Sequence, residues 1–450
     1  MPLRLALACL SLLLVLDISQ VALQASPDST SPEFAYTVAP EYDALAWMHG
    51  GERFPSGAKI FVHEGSAERA LVPTFAASAD PSVSFDGQRL LFAGKQKAES
   101  PWQIWEVPVS GESPRRVSTQ ESCIRPFYLP EDRVVFACNI EGRYIVEAQD
   151  LSGGKPVALT YSGENAVPSD VLRDGRILFD SVNSLGAKTI PEIYTVYSDG
   201  SGVESYRCDH GTPRHNARQV SSGDIVFATE SGLAKFTSSR AQQVLISPPR
   251  GEYAGDIAET TSRDWLAAWR KDTRAKYELG FWSPGANALR PAVKQANAHA
   301  LQPILLTERP VPNRHPSARH DWPNANLLGL NAYTSKFKFA PGTIHSVRVY
   351  TRDGSGPKLL GSAPVERDGS FFVQVPNDRP LQVELVDGSG KTLKRESGFF
   401  WMRRGEQRVC TGCHAGPETA PENAVPMILL KSTTPADLTA TAAASAAGGH

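Results

Sequence analysis

Five consecutive residues, Cys410, Thr411, Gly412, Cys413 and His414, carry the most specific chemistry in the chain. Two thiols at this spacing can each add to a vinyl group of one porphyrin, and a histidine directly after them can serve as an axial ligand of its iron. The pattern therefore predicts one covalently bound haem c, attached at Cys410 and Cys413, with His414 as the proximal iron ligand. Two other chemistries use a Cys-x-x-Cys pair. A structural zinc needs four ligands, and no second closely spaced Cys/His pair completes such a set. A redox dithiol normally opens a helix within a βαβ unit, and the residues around Cys410 do not read that way.

A haem of this kind is attached outside the bacterial cytoplasm, so the amino terminus matters. Arg4 precedes an apolar run over residues 5–16, which Asp17 ends, and Ala25 offers a cleavage site. The run is shorter than the roughly 20 residues that span a bilayer, so residues 1–25 read as a secretory signal and not an anchor. No later stretch reads as a transmembrane anchor, and the protein is expected to be periplasmic or secreted. With Cys9 inside the signal, Cys123, Cys138 and Cys208 remain. Cys123 and Cys138 flank a strand–turn–strand pattern, so a hairpin disulfide and two reduced buried cysteines are both open readings; Cys208 is left over as a free thiol.

At 450 residues the chain exceeds one ordinary domain. A formal net charge of -2 speaks against a nucleic-acid partner, while 36 Gly and 34 Pro favour short strands joined by turns. From about residue 40 to about 300 a pattern recurs at roughly 40–47 residues, the length of a four-stranded propeller blade. Its copies include Ser84, Phe85, Asp86, Gly87 leading into Leu90, Leu91, Phe92; Glu131, Asp132 leading into Val134, Val135, Phe136; Asp174, Gly175 leading into Ile177, Leu178, Phe179; and Ser222, Gly223 leading into Ile225, Val226, Phe227. Each is a tight turn feeding an apolar strand. Weaker copies near residues 43–75 and 252–297 bring the count to six. The repeats resemble TolB-type propeller blades. One inter-blade stretch, residues 207–215, gathers Asp209, His210 and His215 with two arginines; it reads as a candidate funnel site or as an ordinary polar loop.

The expected fold is all-β: a six-bladed propeller over residues 26–300, a linker over 301–312, a small β-sandwich-like haem domain over 313–430, and a disordered tail over 431–450. The sandwich rests on period-two alternation at Val347 and Val349, at Phe371, Val373 and Val375, and at Leu381, Val383 and Leu385.

Residues 369–381 and 404–414, the second stretch containing the haem motif, resemble the carboxy-terminal haem domain of the hydrazine synthase alpha subunit family. That resemblance implies a six-bladed propeller joined to a small haem-bearing β domain. It also implies that the single motif corresponds to the family's second, electron-relaying haem. The chain has no other Cys-x-x-Cys-His, so hydrazine synthesis itself is not expected. The resemblance favours a second histidine on the iron. The candidates for that sixth position are His320 first, then His345 and His315, then Met427, with Met402 behind them; His345 is expected to share the strand face of Val347 and Val349. The function that follows is an exported c-type cytochrome relaying single electrons, with the propeller docking a redox protein partner or a small-molecule ligand. The alternatives are a redox enzyme acting at the haem or the funnel, and a binding module with a structural haem. No nucleophile elbow, phosphate loop or His-Glu-x-x-His is present.

Overall fold

The computed structural model describes residues 32–185, 188–207, 210–246, 248–353, 356–412 and 423–439. They are almost entirely β, as the alternating apolar patterns require. From Phe34 to Leu305 they form six four-stranded antiparallel sheets. The innermost strands are Ala77–Val83, Cys123–Leu129, Ala166–Val171, His215–Gln219, Glu252–Glu259 and His299–Leu305. Each contacts the next, and the last contacts the first, so the sheets stand in a closed, propeller-like ring. Closure is made within one sheet, where Phe34–Ala39 pairs with Lys59–Glu64 on one side and with His299–Leu305 on the other.

The turns follow from their residues. Asp86 accepts the Gln88 N–H at 3.0 Å, and Gly87 supplies a φ of 74°; Asp174 and Gly175 repeat the arrangement, with the Arg176 N–H donating at 3.0 Å and a φ of 86°. Asp side chains mimic a backbone turn and Gly adopts positive φ without a Cβ clash. The strands between turns bury Leu90, Phe92, Phe136, Phe179 and Phe227. The aromatics of the repeat are packing residues.

Residues 301–305, expected to open a linker, instead belong to the strand His299–Leu305 that closes the ring. The backbone groups of a closing strand are satisfied only by pairing, and the Gln302-Pro303 pair is accommodated at a bulge between Ala35 and Thr37 on its partner. Residues 306–315 then cross the ring as a strap. Arg309 N–H donates to Phe85 O at 2.9 Å, Asn313 N–H to Arg173 O at 2.8 Å, and Arg314 pairs with Glu131 at 3.0 Å. A Cβ on Gly175 would sit 2.1 Å from Asn313 O, so the strap fits only over a glycine there.

The remaining residues form two more four-stranded sheets. One runs Gln407–Cys410, Ala325–Gly329, Phe371–Val375, Ala436–Asp437; the other runs Gly356–Pro364, Ser346–Asp353, Leu381–Val386, Thr392–Arg395. Leu327, Val347, Val349, Val373, Val375, Leu381, Leu385 and Met402 fill the space between them. Residues 431–439 are not the disordered tail expected of them. Ala436–Asp437 pairs in parallel with Phe371–Val375, and Leu438 is 6% exposed in the same core. A single apolar residue in a polar, Ala/Thr-rich stretch was too weak a signal for that strand. Residues 440–450 lie outside the described residues.

The stretch leading into the motif fastens the sandwich to the ring. Trp401, 2% exposed, packs among Phe127, Leu159 and Phe179, and its indole N–H donates to Gly200 O at 3.0 Å. Arg403 donates to Ala158 O at 2.7 Å and to the Tyr161 hydroxyl at 2.6 Å, and Glu406 accepts the Gly202 N–H at 3.1 Å.

Candidate functional site

Cys410 ends the edge strand Gln407–Cys410, which runs parallel to Ala325–Gly329 with Cys410 opposite Gly329. Its carbonyl accepts the Leu330 N–H at 2.9 Å. The side chain is half-buried against the sandwich core. Burial pushes its thiol above the usual range, and a protonated thiol is a poor nucleophile. Thr411 is exposed, and Gly412 passes so close to the next loop that a Cβ would meet Thr334 O at 2.1 Å. Cys413 and His414 lie outside the described residues. A half-buried thiol at the end of an edge strand leaves one side open to a macrocycle.

The histidines and methionines considered for the sixth position are dispersed. The His320 backbone N–H donates to Gly405 O at 2.8 Å, at the opposite end of the edge strand from Cys410, and its exposed ring stacks on Trp322 at 4.1 Å. Gly405 stands in the turn before the strand that Cys410 ends. His315 stacks on Tyr197 of the ring at 3.6 Å. His345 does not share the face of Val347 and Val349: it is exposed, while Ile344 takes the inward position. The strand begins only at Ser346, so the alternation counted back from Val347 fails one residue earlier. Met402 is fully buried in the sandwich core. Met427 opens the short helix Met427–Lys431; its N–H donates to Asp368 at 2.7 Å and that of Ile428 to Ser370 at 3.0 Å. Phe371, next to Ser370, pairs with Gly329, which pairs with Cys410. Met427 thus stands toward the Cys410 end of this sheet. Among the described residues no cluster of three or more His, Cys, Asp or Glu side chains could hold a metal ion.

The funnel stretch divides in two. His210 Nδ1 lies 2.7 Å from Glu192 Oε2, and Glu192 also accepts from Asn183 at 2.9 Å and from the Gly211 N–H at 2.9 Å. Burial opposes ionisation of Glu192, but these partners outweigh it and hold the carboxyl below its ordinary range. His215 sits instead on an inner strand of the ring, where burial depresses its imidazole to about 4. Asp209 and Cys208 lie outside the described residues. Cys123 and Cys138 face each other in register and are bridged, with Cα atoms 4.0 Å apart.

What fills the channel has no local signal in the sequence. Pairing of the inner strand slips at a bulge in all six sheets. Asp80, Arg125, Asn216 and Gln302 adopt positive φ at these slips, between 53° and 59°. A bulge bends the strand and re-aims a side chain. Here the slips gather a buried polar network. Asp80 accepts from Arg53, from the Arg125 N–H at 3.0 Å and from Gln302 at 2.6 Å. Arg125 donates to Asn216 Oδ1 at 2.5 Å, and Asp256 pairs with Arg218 at 3.0 Å. Burial works against the Asp80 carboxylate, yet Arg53 and Arg125 keep it below the usual range. Asp180, fully buried, is pushed up to about 6 by burial despite Arg125. The only sequence signal would have been a polar residue recurring at one position of each inner strand, and the residue types differ from sheet to sheet.

Residues 341–415 match the family described as the hydrazine synthase alpha subunit middle domain. The whole fold is similar to Kuenenia stuttgartiensis hydrazine synthase, with a TM-score of 0.76 at 16% identity over 89% of this chain and 71% of that one. TolB from Acinetobacter baumannii is similar over 62% of this chain and 68% of that one, at 13% identity and a TM-score of 0.48. Among curated proteins, none matches the chain in sequence. The chain is thus similar to the hydrazine synthase alpha subunit in fold and in the stretch that reaches the motif. The matching family model is that subunit's middle domain. Among the described residues no helix is long and apolar enough to cross a membrane.

Proposed function

We propose that this hydrazine synthase alpha-like propeller protein is exported and carries one haem c, bound covalently by Cys410 and Cys413 with His414 as the proximal iron ligand. The observation that carries the reading is the position of Cys410. A half-buried thiol ends an edge strand within a Cys-x-x-Cys-His sequence, against the sandwich core and inside the stretch that matches the family. When bound, such a group takes up and gives back single electrons.

The residues of the chain supply its setting. Trp401, Arg403 and Glu406 fasten the approach to the motif onto the ring. Gly412 lets the chain pass under Thr334. For the sixth position the geometry favours Met427 over His320, because the helix Met427–Lys431 begins at the Cys410 end of the sheet and His320 at the other. A redox protein partner or a small-molecule ligand would dock on the ring. Residues 1–25 as a signal would take the protein to the periplasm or beyond.

The test is an absorption and EPR spectrum of the protein matured in a haem-attaching host. The expected result is a six-coordinate, low-spin iron that Met427→Ala converts to high spin and His320→Ala leaves unchanged. An open, ligand-binding iron in the unaltered protein would sink the relay reading.

A further inference from the structure

The ring and the sandwich enclose a cleft of about 60 Å³, where the strand Ile177–Leu185 of the ring faces residues 397–401. That is room for roughly four or five non-hydrogen atoms. The charges around it are already matched. Arg352 pairs with Glu164 at 2.8 Å and lies over the Phe399 ring at 4.7 Å. Glu192, reached through Asn183 and the Tyr194 hydroxyl at 3.3 Å, holds His210 at 2.7 Å. An ion entering the cleft would have to break one of these pairs, and a neutral molecule would not.

The neutral groups that line the cleft are complementary and unfilled. Asn183 is 3% exposed, and its amide N–H donates to Glu192 at 2.9 Å. That bond fixes the amide with its oxygen turned from the carboxylate, and among the described residues no donor reaches the oxygen. Gly398 stands across from it: a Cβ there would lie 3.9 Å from both the amide oxygen and the amide nitrogen, so a glycine keeps the space before Asn183 open. Ser162 and Ser397 bring two hydroxyls to the same cleft. The Ser162 oxygen accepts the Glu164 N–H at 3.2 Å, and among the described residues neither hydroxyl donates a hydrogen bond. The apolar wall is aromatic, with Tyr194 stacked on Phe179 at 5.7 Å and Trp401 at 6.3 Å from the same ring. A buried acceptor without a donor is costly. A small flat molecule carrying both N–H and C=O groups removes that cost, because it donates to Asn183, accepts from a serine and lies against aromatic faces.

We infer that the cleft between ring and sandwich binds a small neutral amide, of the size of acetamide or urea, with Asn183 Oδ1 accepting its N–H and Ser162 or Ser397 donating to its carbonyl oxygen. Its occupancy bridges the two parts of the molecule. The site does not depend on the haem, so its failure would leave the proposed attachment at Cys410 untouched.

The experiment is saturation-transfer NMR of the full chain with acetamide, and with acetate as its charged isostere. Acetamide should give a saturable signal with half-saturation at roughly 1–50 mM, and acetate should bind at least about tenfold more weakly. Gly398→Val, at a position without positive φ, fills the space before Asn183 and should abolish the signal; Asn183→Ala should weaken it about tenfold. If Gly398→Val does not fold, Asn183→Ala and the acetate comparison decide. A cleft that holds only water gives no saturation below about 200 mM and overturns the site, as would an equal response to acetate or binding unchanged by Asn183→Ala.

Discussion

The ring and the sandwich are built from the same unit, a four-stranded sheet, and use it in opposite ways. The sandwich keeps an apolar interior of Leu327, Val349, Val373 and Met402 and leaves Cys410, on which the proposed haem attachment rests, half open at the end of an edge strand. The ring puts its polar groups at the centre. Its inner strands bulge, and Asp80, Arg125, Asn216 and Asp256 meet where an ordinary sheet would continue its ladder. The lesson is that strand regularity decides where chemistry can sit. An unbroken sheet offers its ends and edges, and a ring of bulged strands offers its axis.

Four perturbations can break or sharpen that contrast. The largest effect belongs to the sandwich: Cys410→Ala with Cys413→Ala should remove all covalent haem while leaving the unfolding of the ring in place, as read by mass and circular dichroism. Retention of covalent haem would end the distinction. Next, Asp80→Asn removes the carboxylate of a buried pair and should cost about 3–5 kcal/mol in denaturant unfolding, with haem attachment unaffected. A cost below about 1 kcal/mol would make the channel network an ornament of the fold and not a part of its stability.

Third, Cys123→Ser with Cys138→Ser opens a loop of sequence separation 15 and should cost about 3 kcal/mol, by chain entropy alone. Because the bridge joins the first two strands of one sheet, the loss should appear in the ring and leave the spectrum of the haem unchanged.

The smallest effect is a pH dependence. Asp180 is raised from 3.8 to about 6, so its contribution to stability is full below about pH 4 and is lost as pH rises through about 6. Asp180→Asn should therefore be more stable than the unaltered protein by about 1–3 kcal/mol at pH 7.5, and the gain should vanish near pH 4. His215 and His299, both depressed to about 4, act in the opposite sense, their stabilisation being lost as pH falls from about 6.5. The comparison is consequently made between variant and parent at each pH.

The legible parts of the molecule are those whose chemistry or geometry demands a fixed spacing. Asp86-Gly87 and Asp174-Gly175 announce their turns because the backbone needs positive φ there, and Val347/Val349 or Val373/Val375 announce a half-buried face. The spacing of Cys410, Cys413 and His414 is a signal of the same kind, and the haem it implies is a proposal. What stayed hidden depends on contacts distant in sequence. Trp401 anchors the stretch before the motif onto the ring through Gly200, a residue distant in the chain. His345 followed the parity of its neighbours on paper and is turned outward because its strand starts one residue later. Arg53, Arg125 and Asp256 are far apart along the chain, and only ring closure brings them to one axis.

Covalent attachment is the premise on which the relay rests, and intact mass under denaturing conditions tests it directly. Protein matured in a haem-attaching host should gain the mass of one haem, and that gain should disappear entirely when Cys410 and Cys413 are both replaced by Ala. Protein of unmodified mass carrying a spectroscopically intact haem, or a mass gain that survives the double replacement, would contradict it.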